Sequence, residues 1–381
     1  MCDICIKEHV QLHNHTDKSN LDGVPPVEKL VEYAKEMGAV AVGVTEHGNT
    51  LSMYPFLDAC KRIGGINPVI GVEAYMIYGP SYLKKSKSTI FTPDEIVSDP
   101  LYEEIYGKLP LNGMKMHNHV LLLALNQKGV ENINKIVTFS HRHFYSKPSL
   151  THAFLRDHSD GILASSGCLA AEIPTLLKLG YKDEAEQVLQ WYLNIFKDRF
   201  FIEFQRHDIP ELDDTVNNGL LELVKKYKVP VIATNDIHYL RPEDEEIQRL
   251  LLKIATGNRK QKENEIDDSG DAMVFNGSGY HYASPDEMFE KMSVYGEDIA
   301  KDMLNNTVAI GKDAKYNPMV GVGFHMPKTH PELTDEQLNE KFRELVYKGA
   351  KERYGDPLPQ EVIDRIEYEL EVIIGKNLVG Y

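Results

Sequence analysis

Residues 40–49 read Val-Ala-Val-Gly-Val-Thr-Glu-His-Gly-Asn, a short run of small and β-branched apolar residues that ends on a glutamate and a histidine. A run this short, bounded by a turn signal, reads as a buried strand with its polar groups at the exit turn. Just upstream, residues 27–37 place Val27, Leu30, Val31 and Ala34 on one side of a helix, and residues 185–196 repeat that amphipathic pattern further on. Strands are expected at 9–16, 40–45, 68–77, 119–125, 161–165, 200–205 and 231–234. Such alternation is the pattern of an α/β domain with a parallel sheet. Seven strands point to a barrel, although an open doubly wound sheet fits the same alternation.

After Tyr239 the strand signals stop and helix starts take over: Arg241-Pro242 before an acidic run, Ser284-Pro285-Asp286-Glu287, and Thr334 with Gln337 as a capping box. Residues 257–279 are polar and rich in Gly and Asp, and read as a loop or linker. A last helix carries Val362, Ile363, Ile366, Leu370 and Ile373 on one side and can end at Gly375. The chain then stops within apolar Leu378-Val379-Gly380-Tyr381, which suggests a piece of a longer protein. The expected division is an α/β barrel unit over 1–256 and a linker with a helical extension over 257–381. No internal repeat or low-complexity tract is present.

The 381 residues are 42% apolar and 26% charged, ordinary values for a globular chain. No apolar run approaches the roughly 18 residues of a membrane helix, and the start lacks a secretory pattern, so no membrane partner and a cytoplasmic location are expected. Four cysteines make no disulfide framework, and Cys2 with Cys5 lacks the second pair that a structural zinc site needs. Cys60 falls in a helical pattern and reads as packing. A net charge of −16 excludes a chain-wide basic surface, so any phosphate contact must be local. Small basic clusters occur at Lys84, Lys85 and Lys87, at Arg142 with Lys147, and at Arg259, Lys260 and Lys262, and such runs are usually solvated faces.

The chemistry sits at the strands. His13 and His15 are two apart on the first, so they face the same way and can hold one metal. Asp22 follows, His47 ends the second strand, and Glu73 lies inside an apolar third strand, where burial is costly without a cation. His119 opens the fourth strand, where a regular barrel would place a ligand at the end, so distortion is expected there. Cys168 follows the fifth, and Asp236 with His238 repeats the period-two pairing after the last. Nine donors are too many for one or two ions with open positions, which implies up to three metals. Mixed imidazole, carboxylate and thiolate donors suit Zn, Mn or Fe. Arg206 and His207, just past the sixth strand, are candidate phosphate contacts, while His117, His141 and His143 read as surface or supporting residues.

Four segments, Leu12-His13-Asn14-His15-Thr16, Thr45-Glu46-His47-Gly48-Asn49, Ser166-Gly167-Cys168-Leu169 and Thr234-Asn235-Asp236-Ile237-His238-Tyr239, resemble the motifs of the PHP (polymerase and histidinol phosphatase) family. The resemblance implies a distorted seven-stranded β/α barrel. It also implies that His13, His15, Glu73 and Asp236 hold one metal, that Glu73 bridges to a second with His119 and Cys168, and that Asp22, His47 and His238 hold a third. Glu73, His119 and Asp236 are its candidate catalytic members. All nine positions are filled, and Glu46 stands where Asp is usual. The continuation, including Tyr239-Leu240-Arg241-Pro242 and Arg365-Ile366-Glu367-Tyr368, resembles the polymerase III alpha branch almost to the end. In that branch the helices lead to a palm whose Pro-Asp-x-Asp segment is absent here, so these residues are not expected to polymerise DNA.

The resemblance implies metal-dependent hydrolysis of a phosphodiester at a DNA 3′ end, a 3′–5′ exonuclease. Its partners would be DNA, the remaining polymerase domains, and a replisome clamp or proofreading subunit. A phosphomonoesterase for a small substrate such as histidinol phosphate keeps the barrel and changes the substrate. The third reading is structural, with metals that only hold together a docking module.

Overall fold

The computed structural model describes residues 8–77, 105, 117–144, 146–255, 277–316 and 329–381. Cys2, Cys5, the lysines at 84, 85 and 87, and the basic residues at 259, 260 and 262 lie outside them, as does most of the linker expected at 257–279. Six strands form one sheet in chain order: β1 (Ala41–Val44), β2 (Asn67–Ile77), β3 (His117–Ala124), β4 (Ile162–Ser165), β5 (Phe200–Phe204) and β6 (Val231–Ala233). Helices α1 (Val27–Glu36), α2 (Met53–Ile63), α3 (Gln127–Arg142), α4 (His152–Asp157), α5 (Glu172–Lys178), α6 (Lys182–Phe196) and α7 (Asn217–Tyr227) separate them.

Two expectations are corrected. The sheet is mixed rather than parallel, because β3 runs antiparallel to both β2 and β4 while the other neighbours are parallel. The start of β3 therefore lies at the same rim as the ends of β2 and β4, which is why His119 opens its strand and still belongs with the other donors. The seventh strand, expected at 9–16, is not a regular strand. That segment accepts from Gly43 N at Gln11 O (2.8 Å) and from Thr45 N at Asn14 O (3.0 Å) on one side. On the other it exchanges His15 N to Ile237 O (2.8 Å) and Ile237 N to His13 O (3.1 Å). Two partners pull on it with different registers, so it stays extended without a ladder. Gly43 permits the approach: a Cβ there would lie 2.5 Å from Leu12 O.

Strand periodicity sorts the core into faces. Ile70, Val72, Ala74 and Met76 of β2 join Val120 and Leu122 of β3 and Ile202 and Phe204 of β5 against the helices. Their neighbours Val69, Leu121, Leu123, Leu163 and Ile232 point the other way and pack with Val10 and Leu12. Further along the same strands, that inner face changes to Glu73, His119, Ser165 and Glu203. The curled sheet thus has an apolar floor and a polar mouth.

After β6 the regular elements described are helices. They are α8 (Glu245–Ala255), α9 (Pro285–Met292), α10 (Glu297–Asp313), α11 (Asp335–Tyr354) and α12 (Gln360–Gly375). Ser284 Oγ accepts from Glu287 N at the start of α9, and Thr334 with Gln337 caps α11 in both directions. The compact unit extends to Asn317, beyond the boundary expected at 256, and residues 318–381 form a second unit. The reason is α10, which seals the floor. Its Val308 and Ile310 join the inner core, and Thr307 Oγ1 accepts from Val10 N at 3.1 Å. Asn67 Nδ2 donates to Gly311 O (2.7 Å) and Ala314 O (2.9 Å). In the second unit, α12 buries only Leu370 fully from its apolar side. Among the described residues no helix is long and apolar enough to cross a membrane.

Candidate metal centre

The mouth gathers all nine donors singled out in the sequence. Glu73 is the hub. Its Oε1 lies 2.7 Å from His119 Nδ1, 3.2 Å from Cys168 Sγ and 3.4 Å from His13 Nε2, and its Oε2 lies 2.7 Å from His47 Nδ1 and 3.4 Å from His15 Nε2. Asp236 Oδ1 is 3.3 Å from both His13 Nε2 and His15 Nε2. Asp22 Oδ2 is 2.7 Å from His47 Nε2 and 3.4 Å from His238 Nε2. Asp236 holds the left-handed region at φ 45°, a strain that a non-glycine residue adopts only when its surroundings enforce it.

Behind these donors, other groups decide which nitrogen faces inward. Glu203 accepts from His13 Nδ1–H at 2.7 Å and is itself held by the Ser165 and Thr234 hydroxyls and by Gln205 Nε2 at 2.9 Å. Ser19 donates its hydroxyl proton to Glu46, so its oxygen is left to accept from His15 Nδ1–H at 3.1 Å. Glu46 also accepts from the Thr16 amide and hydroxyl. The Asp236 carbonyl accepts from His238 Nδ1–H at 2.7 Å. In all three imidazoles the Nδ1 proton is tied down and Nε2 is presented to the pocket, as metal-binding histidines require.

The pocket is electrostatically incomplete. His13 Nε2, His15 Nε2, Asp22 Oδ1, His47 Nδ1, Glu73 Oε2 and Asp236 Oδ1 are buried with no hydrogen-bond partner. His47 Nδ1 and Glu73 Oε2 lie 2.7 Å apart as a charge contact. Buried polar atoms are costly to leave unsatisfied, and six converging on one cavity fit a bound cation. Three sets, His13 with His15 and Glu73, His15 with His47 and His238, and His47 with Glu73 and His119, each bring ligand atoms within 4.8 Å of one another. Burial drives His15 down to about 3, with His47 and His238 adding to it. His47 is pushed up to about 10 in spite of burial, because Glu73 and Asp22 face it. Burial also raises the Cys168 thiol, and Glu73 and Asp236 raise it further. Adjacent imidazoles thus disagree about protonation, whereas divalent cations would satisfy them together and favour the thiolate.

The candidate phosphate contacts stand apart from this set. Arg206 directs its guanidinium to Lys291 O (3.3 Å) and Asp213 Oδ2 (3.6 Å). His207 is buried, with its ring 3.9 Å from that of Tyr280 and Nδ1 3.3 Å from Ser278 O. Burial lowers its pKa to about 3, so it is neutral, and a charged phosphate contact is not what the geometry offers. Cys60 packs in the core against α1 as expected. His117 and His141 are supporting residues, bonded to Ser149 Oγ (3.0 Å) and Gly48 O (2.9 Å), whereas His143 is buried against the Phe139 ring at 4.1 Å. Sequence reasoning missed Glu203, although it interrupts apolar Phe200, Phe201, Ile202 and Phe204 just as Glu73 interrupts its own strand.

The PHP domain family model matches residues 11–207, just over half of the chain. The DNA polymerase III subunit alpha of Aquifex aeolicus is 32% identical over 379 residues, covering 98% of this chain and 30% of the relative. That of Borreliella burgdorferi is 30% identical over 373 residues, covering 98% and 29%. That of Thermus aquaticus is 31% identical over 355 residues, covering 92% and 26%. The chain therefore spans about 30% of the length of the first two relatives.

Proposed function

The chain belongs to the PHP family, and from that premise we propose that its mouth is a divalent-metal centre that hydrolyses the phosphodiester at the 3′ end of a DNA strand. The observation that carries this reading is the convergence of nine donors with six buried, unpartnered ligand atoms among them. In it, His13, His15, Glu73 and Asp236 would hold one ion, Glu73 with His119 and Cys168 a second, and Asp22, His47 and His238 a third, the ions being Zn, Mn or Fe. Bound divalent ions would bring the pKa of a water toward neutrality and offset phosphate charge. The chain's own part is orientation: Glu203, Ser19 with Glu46, and the Asp236 carbonyl each accept from the Nδ1–H of one imidazole, so that three rings present Nε2 to the pocket.

A polynucleotide end is favoured over a small phosphate by the rim. Leu51 (65% exposed), Tyr54 (63%) and Phe144 (51%) stand out beside the segments carrying His47 and Lys147. Aromatic faces near a phosphodiester site suit bases that stack without sequence preference. Similarity to polymerase subunits points the same way, with DNA, further polymerase domains and a clamp or proofreading subunit as partners in the cytoplasm.

The test uses the chain stripped of metal and reloaded with Mn²⁺ or Zn²⁺. Single-stranded DNA labelled at its 5′ end should shorten in one-nucleotide steps, while a chromogenic phosphomonoester is turned over far more slowly. The reverse preference would establish the small-molecule phosphatase instead. Metal uptake with neither activity would leave a structural role.

A further inference from the structure

We propose that the Tyr75 hydroxyl donates a hydrogen bond to a phosphate oxygen of the substrate at the entrance of the metal centre, a contact that rests on the hydrolytic reading above. Glu73 and Tyr75 are two apart on β2, so both point into the mouth, and Tyr75 is paired in register with His119 of β3. Its ring lies 5.0 Å from the His119 ring, edge to face, and 6.0 Å from the His47 ring. The side chains of those two donors are 9% and 11% exposed, against 0–1% for His13, His15, Glu73 and His238. Tyr75 therefore stands on the side from which solvent reaches the site.

The ring is fixed and its hydroxyl is unused. A Cβ on Gly48 would come within 3.1 Å of Tyr75 Cδ2, so one edge packs on the turn that follows His47. The Leu150 amide donates to Tyr75 O at 2.9 Å, and the Lys147 ammonium lies 4.5 Å from the ring centre. Only 5% of the residue is exposed, yet its hydroxyl makes no hydrogen bond among the described residues. A packed tyrosine ordinarily sets its hydroxyl on a partner. Tyr192 reaches Glu172 (2.7 Å), Tyr239 reaches Glu245 (3.3 Å) and Tyr316 reaches Pro68 O (3.1 Å). Nor is the Tyr75 hydroxyl sealed from solvent, as that of Tyr282 is, so it keeps access to the entrance.

The surroundings suit a neutral donor. Burial raises the Tyr75 phenol well above its ordinary range, and Glu73, Asp22 and Cys168 add to it, three donors from separate segments around the mouth. A phenol already keeps its proton at neutral pH, so Tyr75 offers an O–H and no charge that would compete with cations for the carboxylates. Cations draw in a phosphate with little preference for direction. A hydroxyl on a rigid ring supplies that direction, which is what positions a scissile bond.

The experiment compares wild type, Tyr75→Phe and Tyr75→Leu, each loaded with Mn²⁺, by elemental analysis, by calorimetric titration with inorganic phosphate, and by steady-state hydrolysis of labelled DNA. Tyr75→Phe keeps the ring and its packing and loses only the donor. It should bind phosphate about tenfold more weakly and lose a similar factor in kcat/KM, at wild-type metal content and melting temperature. Wild-type phosphate affinity in Tyr75→Phe overturns the assignment, and weakening confined to Tyr75→Leu would make the ring a wall and nothing more. Loss of metal from Tyr75→Phe also overturns it, because the hydroxyl would then serve the ligand set. In each of those cases wild type still hydrolyses its substrate. A wild-type chain that takes up no metal, or that takes it up and hydrolyses neither DNA nor a phosphomonoester, overturns this proposal together with the reading on which it rests.

Discussion

Two regions share the inner face of one curled sheet and follow opposite physics. The floor, made of Leu12, Val69, Leu121, Leu123, Leu163 and Ile232, is closed by α10 and stabilises the fold by burying apolar surface. The mouth, a few residues further along the same strands, buries three carboxylates, five imidazoles and a thiol, and six of its polar atoms lack partners. The floor asks nothing of its surroundings beyond volume. The mouth is built at a cost to the bare chain that a ligand can repay, which is how a binding site differs from a core.

The contrast can be broken at either end. The largest effect is expected from Asp236→Asn or His13→Ala, which should lower hydrolysis at least about a thousandfold by removing a shared ligand. Chelation should then lower the melting temperature of wild type but barely move that of either variant, as differential scanning would show. Next comes Leu121→Ala in the floor, which should cost about 2–5 kcal/mol in urea unfolding while the folded fraction keeps its full metal content. Loss of metal from folded Leu121→Ala would mean that floor and mouth are not separable.

His9, below the mouth and bonded through Nε2 to Ala233 O at 3.0 Å, tests the burial side of the comparison. Burial lowers its pKa from 6.5 to about 4, so the folded state resists protonation and the unfolded chain binds the proton first. Its stability contribution is therefore full above pH 6.5 and is lost as pH falls toward 4, about 3 kcal/mol in all. His9→Gln should flatten that limb of the pH–stability curve, and an unchanged slope would count against it. Glu203→Gln should weaken metal affinity about 10–100-fold by loosening His13, seen in a competition titration with a chelator. The smallest change is expected from Arg206→Ala, under about threefold in KM for DNA, since its guanidinium faces Asp213.

The donors were legible because each breaks a local rule. Histidines two apart on a strand, a carboxylate among valines, and Asp-x-His after the last strand are visible without a structure. Strand direction was not legible. Nothing in residues 117–124 announces that β3 runs backwards, and only the pairing of Tyr75 with His119 shows why a ligand can open a strand. Segment 9–16 alternates like a strand but is divided between two sets of partners, a competition that no local pattern records. Nor does any local pattern announce that α10 packs with the sheet, since its Gly311 sits so close to Ala41 that only the packed fold reveals the contact. Arg206 and His207 were read as candidate phosphate contacts because they follow a strand, and tertiary packing, which no local pattern records, turns one toward Asp213 and the other onto Tyr280.

The central claim is that scattered donors make one cation-binding pocket, and anomalous diffraction from crystals soaked in Mn²⁺ tests it most directly. More than one anomalous peak is predicted inside the mouth, with one of them within coordination distance of Glu73, at about 2.0–2.3 Å from protein ligand atoms. Well-ordered Glu73, His15 and Asp236 side chains with no peak among them would contradict the account.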